Sequence, residues 1–173
     1  ISNYAFSCCN GLKSLTLPSN IKKIYNYAFS NCTKLRSINI KDCTNDIGIG
    51  LFERCTSLSG TIEIPSKWTT IKKNTFAYCN EITGLTLHDN LNQIDDRAFY
   101  KCSQLTGRLI ILNSNMKIEN EAFSGCRELQ QITNFDKITE IGDAAFAECS
   151  SLTSVLEFNS AITTIPSYLF YKC

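Results

Sequence analysis

Apolar residues recur along this chain at two nested periods. Within short stretches they alternate with polar ones, as in Leu15-x-Leu17, Ile38-x-Ile40, Ile62-x-Ile64, Leu85-x-Leu87, Leu109-x-Ile111 and Leu156-x-Phe158. A period of two with β-branched residues predicts strands that bury one face and solvate the other. Over longer distances the whole pattern returns every 23 or 24 residues. Phe6, Phe29, Phe52, Phe76, Phe99, Phe123, Phe146 and Phe170 mark that return, and each has a cysteine three residues later. Isoleucine stands five residues before all eight, and alanine directly before five of them. Self-similarity at such a period means a small unit stacked on copies of itself, because no single copy can bury its own apolar face.

Each unit reads as a strand, a polar turn such as Pro18-Ser19-Asn20, an extended return ending in isoleucine, and a tight turn around the Phe-x-x-Cys. Phe and Cys at i, i+3 predict a helical or 3-10 turn. The expected fold is therefore an α/β solenoid of about seven to eight 23–24-residue units. A parallel sheet should form one face and short helical or 3-10 turns the other, over a rod of about 35–40 Å. Residues 1–173 make a single solenoid; a start at Ile1 and an end on a ladder cysteine read as a piece of a longer array. The extra residue of the longer units falls between Leu58 and Ile62, Leu105 and Leu109, and Leu152 and Leu156. Longer and shorter units alternate from Phe52 onward, which suggests duplication of a 47-residue pair.

The run Ile24-Tyr25-Asn26-Tyr27-Ala28-Phe29-Ser30-Asn31-Cys32-Thr33-Lys34-Leu35-Arg36-Ser37-Ile38-Asn39-Ile40 resembles the BspA-like leucine-rich repeat, Ile-x-x-x-Ala-Phe-x-x-Cys-x-x-Leu-x-x-Ile-x-Ile-Pro. The resemblance spans the chain, since several positions recur together in every copy. That family occurs in surface proteins of anaerobic bacteria and of parasitic protists such as trichomonads and amoebae. The resemblance implies a noncatalytic binding or adhesion module of a cell-surface or extracellular protein, with a protein partner such as a host surface or matrix component. An intracellular, cytoplasmic scaffold of the same architecture is the alternative.

Composition narrows the chemistry. With 17 basic and 16 acidic residues and no like-charge run, the chain carries no electrostatic footprint for nucleic acid. Its apolar runs are only a few residues long, far short of a membrane span. Ten cysteines would suggest a disulfide framework, but eight share one register, which predicts free thiols buried as small apolar side chains. Zinc needs clustered ligands that the spacing does not supply. Cys8 and Cys43 fall off register and are expected as surface thiols without a role. The lone histidine, His88, has no partner for a catalytic dyad, so neither an enzyme nor a cofactor is expected.

Four further positions draw attention. Trp68 replaces a return-segment isoleucine, with core packing and an exposed indole edge expected. Asn115 and Asn134 take normally apolar places; each is rescued if Met116 or Phe135 swings inward and the amide faces solvent. Asn31-Cys32-Thr33 has the form of a glycosylation sequon in the tight turn.

Binding is expected on the strand face, through residues that do not repeat. The solvated strand positions are Thr16, Asn39, Glu63, Thr86, Ile110, Thr133 and Glu157, flanked by Lys13, Arg36 and Arg108. Ile110 is the apolar interruption and the preferred protein contact.

Overall fold

A computed structural model describes all residues 1–173. The chain winds as a coil of parallel β segments. Front strands are β1 (Ser14–Thr16), β2 (Ser37–Asn39), β3 (Gly60–Glu63), β5 (Ile82–Thr86), β7 (Gly107–Ile110) and β9 (Leu129–Thr133). Return strands are β4 (Thr70–Ile71), β6 (Gln93–Ile94), β8 (Met116–Ile118) and β10 (Ile138–Ile141). The returns pair in one parallel sheet, β10-β8-β6-β4, and a separate parallel bridge joins Ile24 to Ile47.

Two expectations need correction. Six front strands form, fewer than the seven to eight units counted from the sequence. Leu156-x-Phe158 makes no strand: it follows the third extra-residue position, Ser154, and the Ile132 N–H there goes to Ser154 Oγ at 2.9 Å. The tight turns, moreover, are not helical. The sole helix is a 3-10 turn at Phe135–Lys137, so the fold is a parallel β-solenoid without α-helix.

What stands in place of helices is a stack of β-turns with left-handed residues two before and two after every ladder phenylalanine. Tyr4, Tyr27, Asn74, Arg97, Glu121, Ala144 and Tyr168 precede; Cys8, Asn31, Arg54, Tyr78, Lys101, Glu148 and Lys172 follow; Gly50 and Gly125 complete the sets. A non-glycine residue there costs roughly 1–2 kcal/mol. The stacking supplies the offset. At each of seven steps the turn donates three N–H groups to the next unit, as Tyr27 to Ile49, Phe29 to Leu51 and Asn31 to Glu53, at 2.7–3.1 Å. Backbone ladders thus hold φ positive whatever the side chain, and the turn face becomes a third ladder of the solenoid.

Inside, the phenylalanine rings stack with centroids 5.2–5.9 Å apart and planes within 16°. Ala28, Ala98, Ala122 and Ala145 are fully buried beside them. Each ladder cysteine from Cys32 onward donates its thiol to the phenylalanine carbonyl of the preceding unit, for example Cys102 Sγ to Phe76 O at 3.2 Å. That bond explains why the position takes cysteine rather than alanine or valine. All ten cysteines are unpaired. Trp68 is wholly buried, contrary to the exposed edge expected, because its Nε1–H donates to Thr44 O of the previous unit at 3.0 Å. Met116 and Phe135 do turn inward, and Asn115 and Asn134 face solvent, with Asn134 Nδ2 donating to Ile111 O at 3.0 Å.

The front sheet, unlike the return sheet, is cut into two-stranded pieces: β1-β2, β3-β5 and β7-β9. Both cuts fall where a longer unit follows a shorter one. The extra residue there is Gly60 or Gly107, at φ +82° and +77°, and the register slips beside each. Registers of the two later pieces are identical after a shift of 47 residues: Ile62 pairs Leu85 as Leu109 pairs Ile132. The paired duplication read from the intervals is therefore built into the ladder.

Candidate functional site

The strand face is a row, not a pocket. Thr16 sits opposite Asn39, Glu63 opposite Thr86, and Ile110 opposite Thr133, one pair per ladder piece. All are exposed except half-buried Thr133. Lys13 and Arg36 precede β1 and β2, joined by the Arg36 N–H to Lys13 O bond of 2.8 Å. Arg108, in β7, donates from Nε to Gln131 Oε1 at 3.0 Å. Glu157 lies beyond the last front strand and belongs to no ladder. Parallel strands place successive units about 4.8 Å apart, so Lys13 and Glu157 stand on the order of 30 Å from each other. Ile110 is 43% exposed, and Leu112 beside it is 40% exposed, an apolar contact the sequence reading placed on Ile110 alone.

Asn39 and Glu63 are the two predicted residues that share a concavity. The β2/β3 cut opens a cleft of about 140 Å³ between Ile38, Asn39, Ile40, Lys41, Thr61, Ile62 and Glu63. Small-molecule sites run from about 300 Å³ upward, so this cleft suits one side chain of a partner.

Charge separates this face from the others. Five ion pairs link one unit to the next: Lys23–Asp46, Lys73–Asp96, Arg97–Glu121, Lys117–Glu140 and Arg127–Glu148. Every one lies on the returns or turns. Lys13, Arg36, Glu63, Arg108 and Glu157 belong to none. Along the returns, burial pushes the Asp95 and Glu119 carboxyls up, and the neighbouring Asp96 carboxylate pushes Glu119 further in the same direction.

Cysteine chemistry finds little footing. Burial drives the Cys79, Cys102 and Cys126 thiols far above their ordinary range, which keeps them protonated and unreactive. Cys8 is exposed as expected. Cys43 is not a surface thiol: it is 1% exposed, turned inward after β2, and burial pushes it up to about 11. The His88 ring nitrogens have no hydrogen-bond partner, and no three His, Cys, Asp or Glu side chains converge as metal ligands.

Two features escaped the sequence reading. Asn and Asp recur three residues before the phenylalanine because their Oδ1 accepts the next unit's backbone N–H: Asn3 from Asn26, Asn26 from Ile49, Asn120 from Asp143, Asp143 from Ser167. Their shared register was the available signal. The other is a cluster of cations on tyrosine rings along the turn face, where Arg54, Tyr78, Tyr100 and Lys101 meet. No pattern in the sequence marks it, since it occupies the least repetitive column.

Six copies of a model of the BspA-type leucine-rich repeat region match residues 1–106 and 106–173. Among solved structures, a T. pallidum leucine-rich repeat protein is 29% identical, with TM-score 0.81, over 90% of this chain and 72% of that one. A leucine-rich cell surface protein of Faecalibacterium prausnitzii A2-165 is 25% identical, with TM-score 0.56, over 99% of this chain and 61% of its own. A Eubacterium ventriosum leucine-rich repeat protein shares the fold at 22% identity and TM-score 0.59, over 83% of this chain and 44% of that one. No curated protein matches the chain. No helix is long and apolar enough to cross a membrane.

Proposed function

This chain belongs to the BspA-type leucine-rich repeat family, and from that premise we propose that it is a noncatalytic module that binds a protein partner through its strand face. The observation that carries this reading is the distribution of charge. Ion pairs between units engage ten charged residues of the returns and turns, whereas Lys13, Arg36, Glu63, Arg108 and Glu157 stand exposed along the strand face, where no ion pair forms. Preorganised charges with an apolar contact at Ile110 and Leu112 suit a protein surface, where electrostatics select the partner and a buried apolar group anchors it.

We further infer a place on a cell surface and a role in adhesion to a host surface or matrix component. Support comes from the similarity to the F. prausnitzii cell surface protein. Ten free cysteines favour the second reading, an intracellular scaffold, because thiols persist in reducing compartments.

The test is binding of the immobilised chain to matrix proteins and intact cells, compared with the triple variant Arg36→Glu, Glu63→Lys, Arg108→Glu. At least a tenfold loss for a bound partner is expected, and equal binding would move the site off the strand face. Protease accessibility of the full-length product on intact cells decides between the two locations.

A further inference from the structure

We propose that the turn face of the central units is a second, independent binding surface, built for an acidic sugar residue of a glycan. Arg54, Tyr78 and Lys101 occupy one column, two residues after their phenylalanines, on successive units. Their backbone is fixed by the N–H bonds of Arg54 to Ala77, Tyr78 to Tyr100 and Lys101 to Ser124, at 2.7–2.8 Å, so the side chains leave a rigid base.

The Arg54 guanidinium lies 4.4 Å from the Tyr78 ring centre, and the Lys101 ammonium lies 5.8 Å from the same ring. Lys101 is also 5.3 Å from the Tyr100 ring, which meets Tyr78 edge-on at 5.3 Å and carries Arg97 on it at 5.5 Å. Arg97 is neutralised by Glu121, but neither Arg54 nor Lys101 joins an ion pair. Two cations outside any ion pair, Arg54 with only the neighbouring Glu53 carboxylate near it, are therefore held two units apart, about 10 Å, by one phenol between them. Their mutual repulsion is relieved by an anion, which either can bind with charge-assisted hydrogen bonds.

The next position in the column is Gly125, which leaves the row open beyond Lys101. A cleft of about 210 Å³ lies there, lined by Asn80, Lys101, Ser103, Gly125 and Arg127. Two cations, a hydroxyl and a carboxamide line it, with no carboxylate; Glu148 holds the Arg127 guanidinium at 3.3 Å from outside the lining. A sugar ring presents hydroxyls for Ser103 and Asn80 and a carboxylate or sulfate for the cations, with the Tyr78 ring beside Lys101 as its apolar neighbour. Tyrosine supplies both the apolar body and the polar tip that such a mixed ligand needs.

The experiment is titration of the whole chain with three probes of matched length: a heparin octasaccharide, a hyaluronan octasaccharide and an octaglutamate. At least one sugar is expected to bind, tightest at low salt, and the pair shows whether sulfate or carboxylate is preferred. Arg54→Ala and Lys101→Ala should each weaken it at least fivefold. Ser103→Asp, which places a carboxylate in the cleft at a half-buried position, should do the same while leaving the circular dichroism unchanged. Octaglutamate binding as tight as the sugars would reduce the site to a patch for acidic peptide and overturn the proposal, as would sugar affinity indifferent to Lys101→Ala. The strand-face triple variant should keep its sugar affinity, so a loss there refutes independence without touching the strand-face reading.

Discussion

The return sheet and the front sheet are made by the same units, yet one is continuous and the other is broken. Return strands β4, β6, β8 and β10 stay in one sheet, with a single register shift between Ile138 and Glu140, and their flanking charges are linked from unit to unit. Front strands pair in twos, cut at Gly60 and Gly107, with charges left unpaired. The break marks where stacking stops constraining the residues. A solenoid is stable when each unit satisfies its neighbours. Residues that do so repeat; residues that do not are free to face a partner. Substitution should therefore be expensive behind and cheap in front.

The largest effect is expected at the shared interior. Phe99→Ala removes a ring stacked at 5.4 Å on Phe76 and 5.2 Å on Phe123. Urea unfolding should report a loss of about 3–5 kcal/mol, as for other buried Phe→Ala changes. A loss below about 1 kcal/mol would mean that the stack is not what holds neighbouring units together.

Alkali should come next. The interior thiols Cys79, Cys102 and Cys126 have folded-state pKa values raised above their ordinary 9.0, principally by burial. The folded state keeps these protons while the unfolded state releases them. Their contribution is full below pH 9.0 and is lost as pH rises above it. At pH 10 each thiol should have cost on the order of 1 kcal/mol of stability. Cys79→Ala should reduce the pH slope by one proton, whatever it does to stability at pH 7. An unchanged slope would show that Cys79 ionises freely in the fold.

How much of this division was legible beforehand depends on whether a position's chemistry repeats. Phe29, Cys32 and Ile24 were readable because one side chain satisfies one demand in every unit. The left-handed residues were not, because Tyr27, Asn74, Arg97 and Ala144 share a backbone state imposed by ladder hydrogen bonds and indifferent to side chain. Spacing of Phe and Cys at i, i+3 fits a helical turn and a β-turn equally, and inter-unit bonding decided for the latter. Cys43 and Trp68 were misplaced for a related reason: each is buried by what the neighbouring unit brings to it. The strand-face candidates were found because period two assigns their direction, whereas the Arg54–Tyr78–Lys101 cluster depends on contacts between units that no period encodes.

Glycine offers a matched pair for the same comparison. Behind, a Cβ on Gly142 would sit 2.5 Å from the Asn120 backbone nitrogen, so alanine forces the returns apart. A cost of about 1–3 kcal/mol is expected, in line with overpacking elsewhere. In front, Gly107 has open space around it and only its φ of +77° to protect, which limits Gly107→Ala to about 1 kcal/mol. Reversal of that order in denaturant midpoints would place the tighter stacking on the front.

The smallest effect is the most informative for function. Arg36→Ala and Glu63→Ala remove exposed side chains that join no ion pair, and each should change stability by less than about 0.5 kcal/mol. Lys73→Ala breaks a pair with Asp96 at 3.2 Å, yet that pair is also exposed and is worth at most about 1 kcal/mol. The comparison therefore cannot rest on stability alone; it rests on the ratio of binding loss to stability loss. Front-face changes should cost binding at unchanged stability, and Lys73→Ala should cost a little stability at unchanged binding. If both groups move the two quantities in proportion, front and back are one cooperative scaffold and the strand face holds no special place in recognition.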